Sequence, residues 1–265
     1  MSTDIKRAYA AFTSDIRDHQ MTVLRDDGLY RHLKFNATEH SWNCWFELVT
    51  WPGALCVRGD HGTYVFQCTD DMFGFFRATD TINPSYWGEK CVAQDKTSPV
   101  DGHSSTRFEE SVRRHVDDWI DYSYLDEEDA AEAIADLRRQ VCDEVIAESE
   151  HRETAVAAVE EFRWAWRPAG SSRPKYHFQF DDWYDHITFD DYDYHFLWCL
   201  YAVLWGIRVY DATKAGGDVS QVTVDVPSWV REPDPVPDMW IQGQEHATRV
   251  TAHAVRPIVD VVASL

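Results

Sequence analysis

Ile5, Tyr9, Phe12 and Ile16 recur at spacings of four, three and four, which predicts a short amphipathic helix over the first twenty residues. From residue 21 the period changes to two. Thr22–Leu24 and Leu33–Phe35 read as strands, with Asp26-Asp27-Gly28 supplying a turn between them. Trp42, Cys44, Phe46 and Leu48 alternate with Asn43, Trp45, Glu47 and Val49, and Trp51-Pro52-Gly53 turns the chain into Ala54–Arg58. Gly59-Asp60-His61-Gly62 turns it again into Thr63–Cys68, completing a three-stranded antiparallel meander. Asp70–Phe76 fits a short helix capped by an Asp, its aromatic residues packed on one sheet face.

Residues 93–106, rich in Ser, Asp, Gly and Pro, form a loop and the internal boundary. Helical periodicity follows over 107–122, 126–149 and 152–166, with Asp126 as an N-cap and Ala131, Ile134, Leu137, Val141 and Val145 as one buried stripe. After a loop at 169–174, residues 175–180 are strand-like, and 189–211 is a helix whose 196–207 section is apolar all round. Val219–Val226 reads as a strand and 227–237 as extended, whereas the pattern of the last eighteen residues fits either type. The expected fold is therefore α+β: an antiparallel sheet meander (about 21–68) covered by helices, with a buried central helix near 189–211. We expect one compact domain over 1–265, because 21–92 and 189–211 cannot bury their aromatic residues separately. Within it, 1–92 is β-rich, 107–166 is helical and acidic, and 175–265 carries the central helix and the C-terminal segment.

Charge narrows the partners. Lys and Arg number 25 against 46 Asp and Glu, for a net charge of −21. Residues 107–163 hold 18 acids and 7 bases, about half of that excess, and read first as a solvated helical face. Direct nucleic-acid binding and anionic membranes both need a basic face, and none is apparent. The six cysteines form no C-x-x-C pair and read as small buried hydrophobes of a reducing compartment. The N-terminus lacks the features of a secretory signal, and the longest apolar stretch, Phe196–Ile207, falls short of the roughly 20 residues a bilayer span needs. These features predict a soluble, cytoplasmic protein.

Phosphate loops, nucleophile elbows and H-e-x-x-H helices are missing, which leaves three constellations. In the first, Asp185, His186, Asp193 and His195 stand out in an Asp- and His-rich segment, 181–195, whose carboxylates and imidazoles suit a divalent ion that activates water. Its plainer reading is a charged, capped helix start. The second places Arg31, His32, Lys34 and Arg58 near turns, where they could receive a phosphate or carboxylate, the plainer reading being surface turns that need Gly and Asp for positive φ. The third is an aromatic excess of 12 Trp, 12 Tyr and 13 Phe, which serves either as core filling or as rings that stack a ligand.

Several blocks resemble a family of tailed-bacteriophage proteins from phages of GC-rich actinobacteria. They are Asp26-Asp27-Gly28-Leu29-Tyr30-Arg31-His32-Leu33-Lys34-Phe35, Trp45–Gly53, Gly59–Tyr64, Ile82–Lys90 and Tyr192–Tyr201. The resemblance covers about 21–92 and 175–211 and implies a setting without a mechanism: an accessory, non-structural phage protein acting in the host cytoplasm. In that setting the leading expectation is a binding protein that neutralises a host or defence component, either a host protein or a small nucleotide-like ligand. Trp51, Tyr64 and Trp87 would stack the ligand's ring, and Arg31, His32, Arg58 and Lys90, beside Asp60, would hold its phosphates. A second expectation is a metal-dependent hydrolase using 181–195, and a third is an acidic inhibitor that mimics nucleic acid through the helices at 107–163. No cofactor is predicted, a divalent metal being needed only by the hydrolase reading, and the oligomeric state is not legible.

Overall fold

The computed structural model describes residues 3–38, 42–123, 125, 127–230 and 240. The fold is α+β, with a six-stranded antiparallel sheet and helices packed on it. The described residues separate into two compact units. Those within Met1–Gly102 and Asp191–Pro233 form a sheet unit, and those within His103–Asp190, together with Trp240, form a helical unit.

The sheet is a simple meander in chain order: β1 (Gln20–Asp27), β2 (Tyr30–Asn36), β3 (Phe46–Trp51), β4 (Ala54–Gly59), β5 (Gly62–Gln67) and β6 (Cys91–Ala93). The strands on either side of Gly28 form one edge of the meander expected over about 21–68, and Cys91–Ala93 adds a sixth strand at the other. Its register follows from apolar alternation. Leu33 faces Leu48, Phe35 faces Phe46, Leu48 faces Val57 and Val57 faces Tyr64, so one side of the sheet is a continuous apolar surface.

That surface is covered by α8 (Tyr194–Lys214) and α1 (Thr3–Asp15). Phe12 meets Trp198 edge-on at 5.3 Å, Phe35 stacks on Phe46 at 4.5 Å, and Trp205 lies 5.6 Å from Phe35. Gly206, the one break in the apolar run, marks the closest approach of helix and sheet: a Cβ there would lie 2.8 Å from Leu48 Cδ1 and 3.1 Å from Phe35 Cζ. Asp193 caps α8 by accepting from His195 N at 2.8 Å, which starts the helix five residues later than the periodicity suggests. Two short helices, α2 (Met72–Arg77) and α3 (Pro84–Gly88), complete this unit, with Asp71 capping α2 as its sequence implies.

The helical unit contains α4 (Ser105–Tyr122), α5 (Glu127–Glu144) and α6 (Arg152–Glu161), followed by paired strands Trp164–Trp166 and Tyr176–Phe178 and the one-turn helix α7 (Trp183–His186). Helix α6 ends at Glu161, short of the expected 166. The reason lies in Phe162-Arg163-Trp164-Ala165-Trp166-Arg167, where the aromatic residues are buried and the others exposed in strict alternation, the period of a strand. Val219–Val226 is also not a strand: it holds a single 3₁₀ turn at Val219–Gln221, and Asp225 makes one isolated bridge to Thr81. Residues 231–237 and the last eighteen lie outside the described residues. Among the described residues no helix is long and apolar enough to cross a membrane.

Candidate functional site

The eight residues expected to line a nucleotide-like site do not converge. Arg31 lies on the helix-covered side of the sheet, where its guanidinium forms a forked pair with Asp71 at 2.8 and 3.2 Å and rests 4.6 Å over Phe73. Burial alone would lower the Arg31 pKa, but the bond to Asp71, the Asp71 charge and Tyr210 together outweigh it and raise the value. His32 and Arg58 are on the opposite side, both bonded to Oε2 of the buried Glu47, at 3.0 and 3.2 Å. Lys90 pairs with Glu89 at 3.5 Å and sits 4.9 Å over Tyr86. Each of these cations already has a carboxylate partner, which weakens its pull on a phosphate.

The three rings are dispersed too. Tyr64 and Trp87 are core side chains, 0% and 1% exposed, so neither offers a face to a ligand. The Tyr64 hydroxyl donates to Ser98 O at 2.7 Å, and burial pushes its pKa well up. Trp51 is exposed at the β3–β4 turn. The Asp- and His-rich segment divides as well: Asp185 and His186 lie on α7 in the helical unit, whereas Asp193 and His195 open α8 in the sheet unit. Asp193 is committed to its cap, and His195 Nδ1 faces Ser98 Oγ at 3.1 Å.

Two other arrangements carry chemistry. The first is an open cleft of about 790 Å³ in the helical unit, between α4, the paired strands and α7. Its wall is aromatic, with Trp119 5.1 Å from Phe178 and 6.2 Å from Trp164, and Tyr122 at the rim. Trp164 is locked in place because its indole N–H donates to Asp136 at 2.9 Å. His115, His177 and His186 supply imidazoles, Asp118 and Asp181 carboxylates, and Arg163 the one guanidinium. Burial, and secondarily the neighbouring His186 at 5.5 Å, lowers the His115 pKa, so this ring is neutral near pH 7. Among the described lining residues two carboxylates outnumber one guanidinium, and that guanidinium already donates to the carbonyls of Glu160 and Phe162 at 2.8 and 2.6 Å.

The second lies in the sheet unit, where the C-terminus of α1, the approach to β3 and the β4–β5 turn bring Asp15, Cys44 and His61 together. One ligand-type atom from each lies within 4.8 Å of the other two. The chain holds Cys44 at a left-handed φ of 53°, and the Asp60 carboxylate accepts Cys44 N–H at 2.9 Å while His19 Nε2 donates to Cys44 O at 3.0 Å. Trp198 donates its indole N–H to Asp15 Oδ2 at 3.1 Å and stacks on the His61 ring at 4.1 Å. Burial, with a hydrogen bond to Asp15 adding to it, pushes the Cys44 thiol up to about 11. Both His61 nitrogens are buried without a hydrogen-bond partner among the described residues.

Sequence reasoning reaches His195, whose ring lies 5.3 Å from His61, but not this cluster, because its members sit 29 and 17 positions apart and follow no metal-ligand spacing. The cleft is equally hidden in the sequence, its residues coming from four elements. No protein-family model, no curated protein and no solved structure matches this chain, so the geometry of these two places is what bears on its function.

Proposed function

We propose that the protein is a ligand-capture protein whose cleft in the helical unit takes a planar, nitrogen-rich ring, such as a nucleobase or nucleoside. The observation that carries this reading is the cleft's lining, an aromatic wall beside two carboxylates and three imidazoles. A flat heterocycle gains stacking against the half-exposed Trp119, which Phe178 backs from the core, and its ring N–H and amino groups find acceptors in Asp118 and Asp181. Phosphates contribute little, since Arg163 is the only Lys or Arg lining the cleft among the described residues and is partly engaged. This moves recognition from the phosphates expected at Arg31 and Arg58 to the ring itself. In the phage setting that the sequence blocks imply, the captured molecule would be a base-containing signal of the host cell, sequestered rather than transformed.

Titration of purified protein with nucleobases, nucleosides and nucleotides, followed by tryptophan fluorescence and calorimetry, tests the proposal. The expected outcome is saturable binding in which a nucleoside and its monophosphate differ little. At a hundredfold excess over Kd a ligand of this kind adds about 2.7 kcal/mol to stability. Trp119→Ala should abolish most of the affinity while leaving the circular dichroism of the protein intact. A flat response to every heterocycle, or unchanged binding in Trp119→Ala, would overturn it.

A further inference from the structure

We infer that Asp15, Cys44 and His61 form a binding site for a divalent transition metal of the zinc type in the sheet unit, separate from the ligand cleft. A carboxylate oxygen, a sulfur and an imidazole nitrogen make a donor set that suits zinc or cobalt and disfavours magnesium or calcium, which take oxygen ligands. Three protein ligands leave a fourth tetrahedral position for water or an exogenous group.

Three features set this cluster apart from a chance grouping. The first is its supporting shell. The Trp198 indole fixes the Asp15 carboxylate, the Asp60 carboxylate and the His19 ring fix the backbone on both sides of Cys44, and Cys199 Sγ donates to His61 O at 3.6 Å. The second is the unpartnered imidazole. A buried ring nitrogen without a hydrogen bond is costly unless something coordinates it, and an ion here would take one of the two His61 nitrogens, both of which are unpartnered among the described residues. The third is backbone strain, because Cys44 is one of only two non-glycine residues with positive φ among those described.

The same residue types also suggest a thiol nucleophile with a histidine base, but the geometry argues against it. In such a triad the imidazole bonds to the thiol and the carboxylate orients the imidazole. Here the carboxylate is held by Trp198, and no hydrogen bond joins His61 to Cys44 or to Asp15. On metal entry the ion binds sulfur, the thiol proton leaves to solvent, and the ligand atoms draw in to roughly 3.5 Å apart, as bonds of about 2.0–2.3 Å require.

Titration of the purified, metal-free full-length chain with cobalt(II) chloride tests the site directly. The expected result is one equivalent bound, with a thiolate-to-cobalt charge-transfer band in the near ultraviolet and tetrahedral d–d bands in the visible. Zinc chloride should displace the cobalt and bleach both. Cys44→Ser should remove the charge-transfer band, Asp15→Asn should weaken cobalt binding by at least about tenfold, and Cys68→Ser, at an exposed cysteine, should leave the spectrum unchanged. Absence of the charge-transfer band in the unaltered protein would overturn the proposal, whatever the variants do. So would a band that persists in Cys44→Ser. If Cys44→Ser does not fold, His61→Gln serves in its place, and a tetrahedral cobalt spectrum identical to that of the unaltered protein would count equally against the site.

Discussion

In the sheet unit, Phe35, Phe46, Trp198 and Trp205 pack ring against ring beneath α8 and are almost wholly removed from solvent. In the helical unit, Trp119 and Phe178 make similar ring contacts, yet Trp119 stays half-exposed along an open cleft beside Tyr122, which is 84% exposed. The rings are of the same kind, and what differs is the element that backs them. A sheet face paired with an apolar helix closes over its aromatic residues completely. Short paired strands set against the side of α4 leave a wall uncovered, and an uncovered aromatic wall with polar groups around it is a place for a ligand.

This contrast can be broken experimentally, most severely in the sheet unit. Phe35→Ala removes a ring stacked on Phe46 and touching Trp205, and should cost about 3–5 kcal/mol in urea unfolding. A cost no greater than that of Trp119→Ala would mean that the two aromatic clusters are equally open. An intermediate effect is expected from Asp71→Ala. It deletes the α2 cap, worth about 0.5–2 kcal/mol, and it strips Arg31 of its forked partner, so the loss should exceed that of a simple cap removal. A double-mutant cycle with Arg31→Met measures the pair itself.

The smallest effect sharpens the comparison from the cleft side. His115 faces His186, which lowers its pKa along with burial, and Asp118 and Asp181, which raise it, and the balance lies below the ordinary value. As pH falls beneath about 6.5 the unfolded imidazole takes up a proton that the folded one refuses, so stability declines. The decline begins at that ordinary value and levels off once the folded ring is also protonated. Urea midpoints at about pH 7.5 and about pH 5.5 should differ less in His115→Gln than in the unaltered protein.

The meander was legible because its signals are local: alternation set by Leu33, Phe35, Phe46, Leu48 and Val57, and turns marked by Gly28, Gly53 and Gly62, whose positive φ values of 61°, 84° and 103° require glycine. The buried character of α8 was legible from its apolar run, interrupted only by Gly206. Helix α6 was extended too far because Glu160 and Glu161 continue a helical composition into Phe162, and the strand that follows is only three residues long. The site residues were read from the wrong property. Arg31, Arg58 and Lys90 attract notice as rare bases in an acidic chain, but the same acidity supplies each with a carboxylate at close range. Asp15, Cys44 and His61 carry no local mark at all, since only the packing of α1 and two loops against α8 places them side by side.

The order in which the two units occupy the chain has a consequence during synthesis. All six strands precede Gly102, whereas α8, which covers them, follows Asp191, with the helical unit encoded between. At ~5–20 residues per second the ribosome takes roughly 5–20 s to make that intervening stretch. Throughout this interval the sheet's apolar face has α1 but not its main cover. The nascent chain therefore passes through a stage in which apolar surface that the finished sheet unit covers stays open to aggregation until α8 emerges.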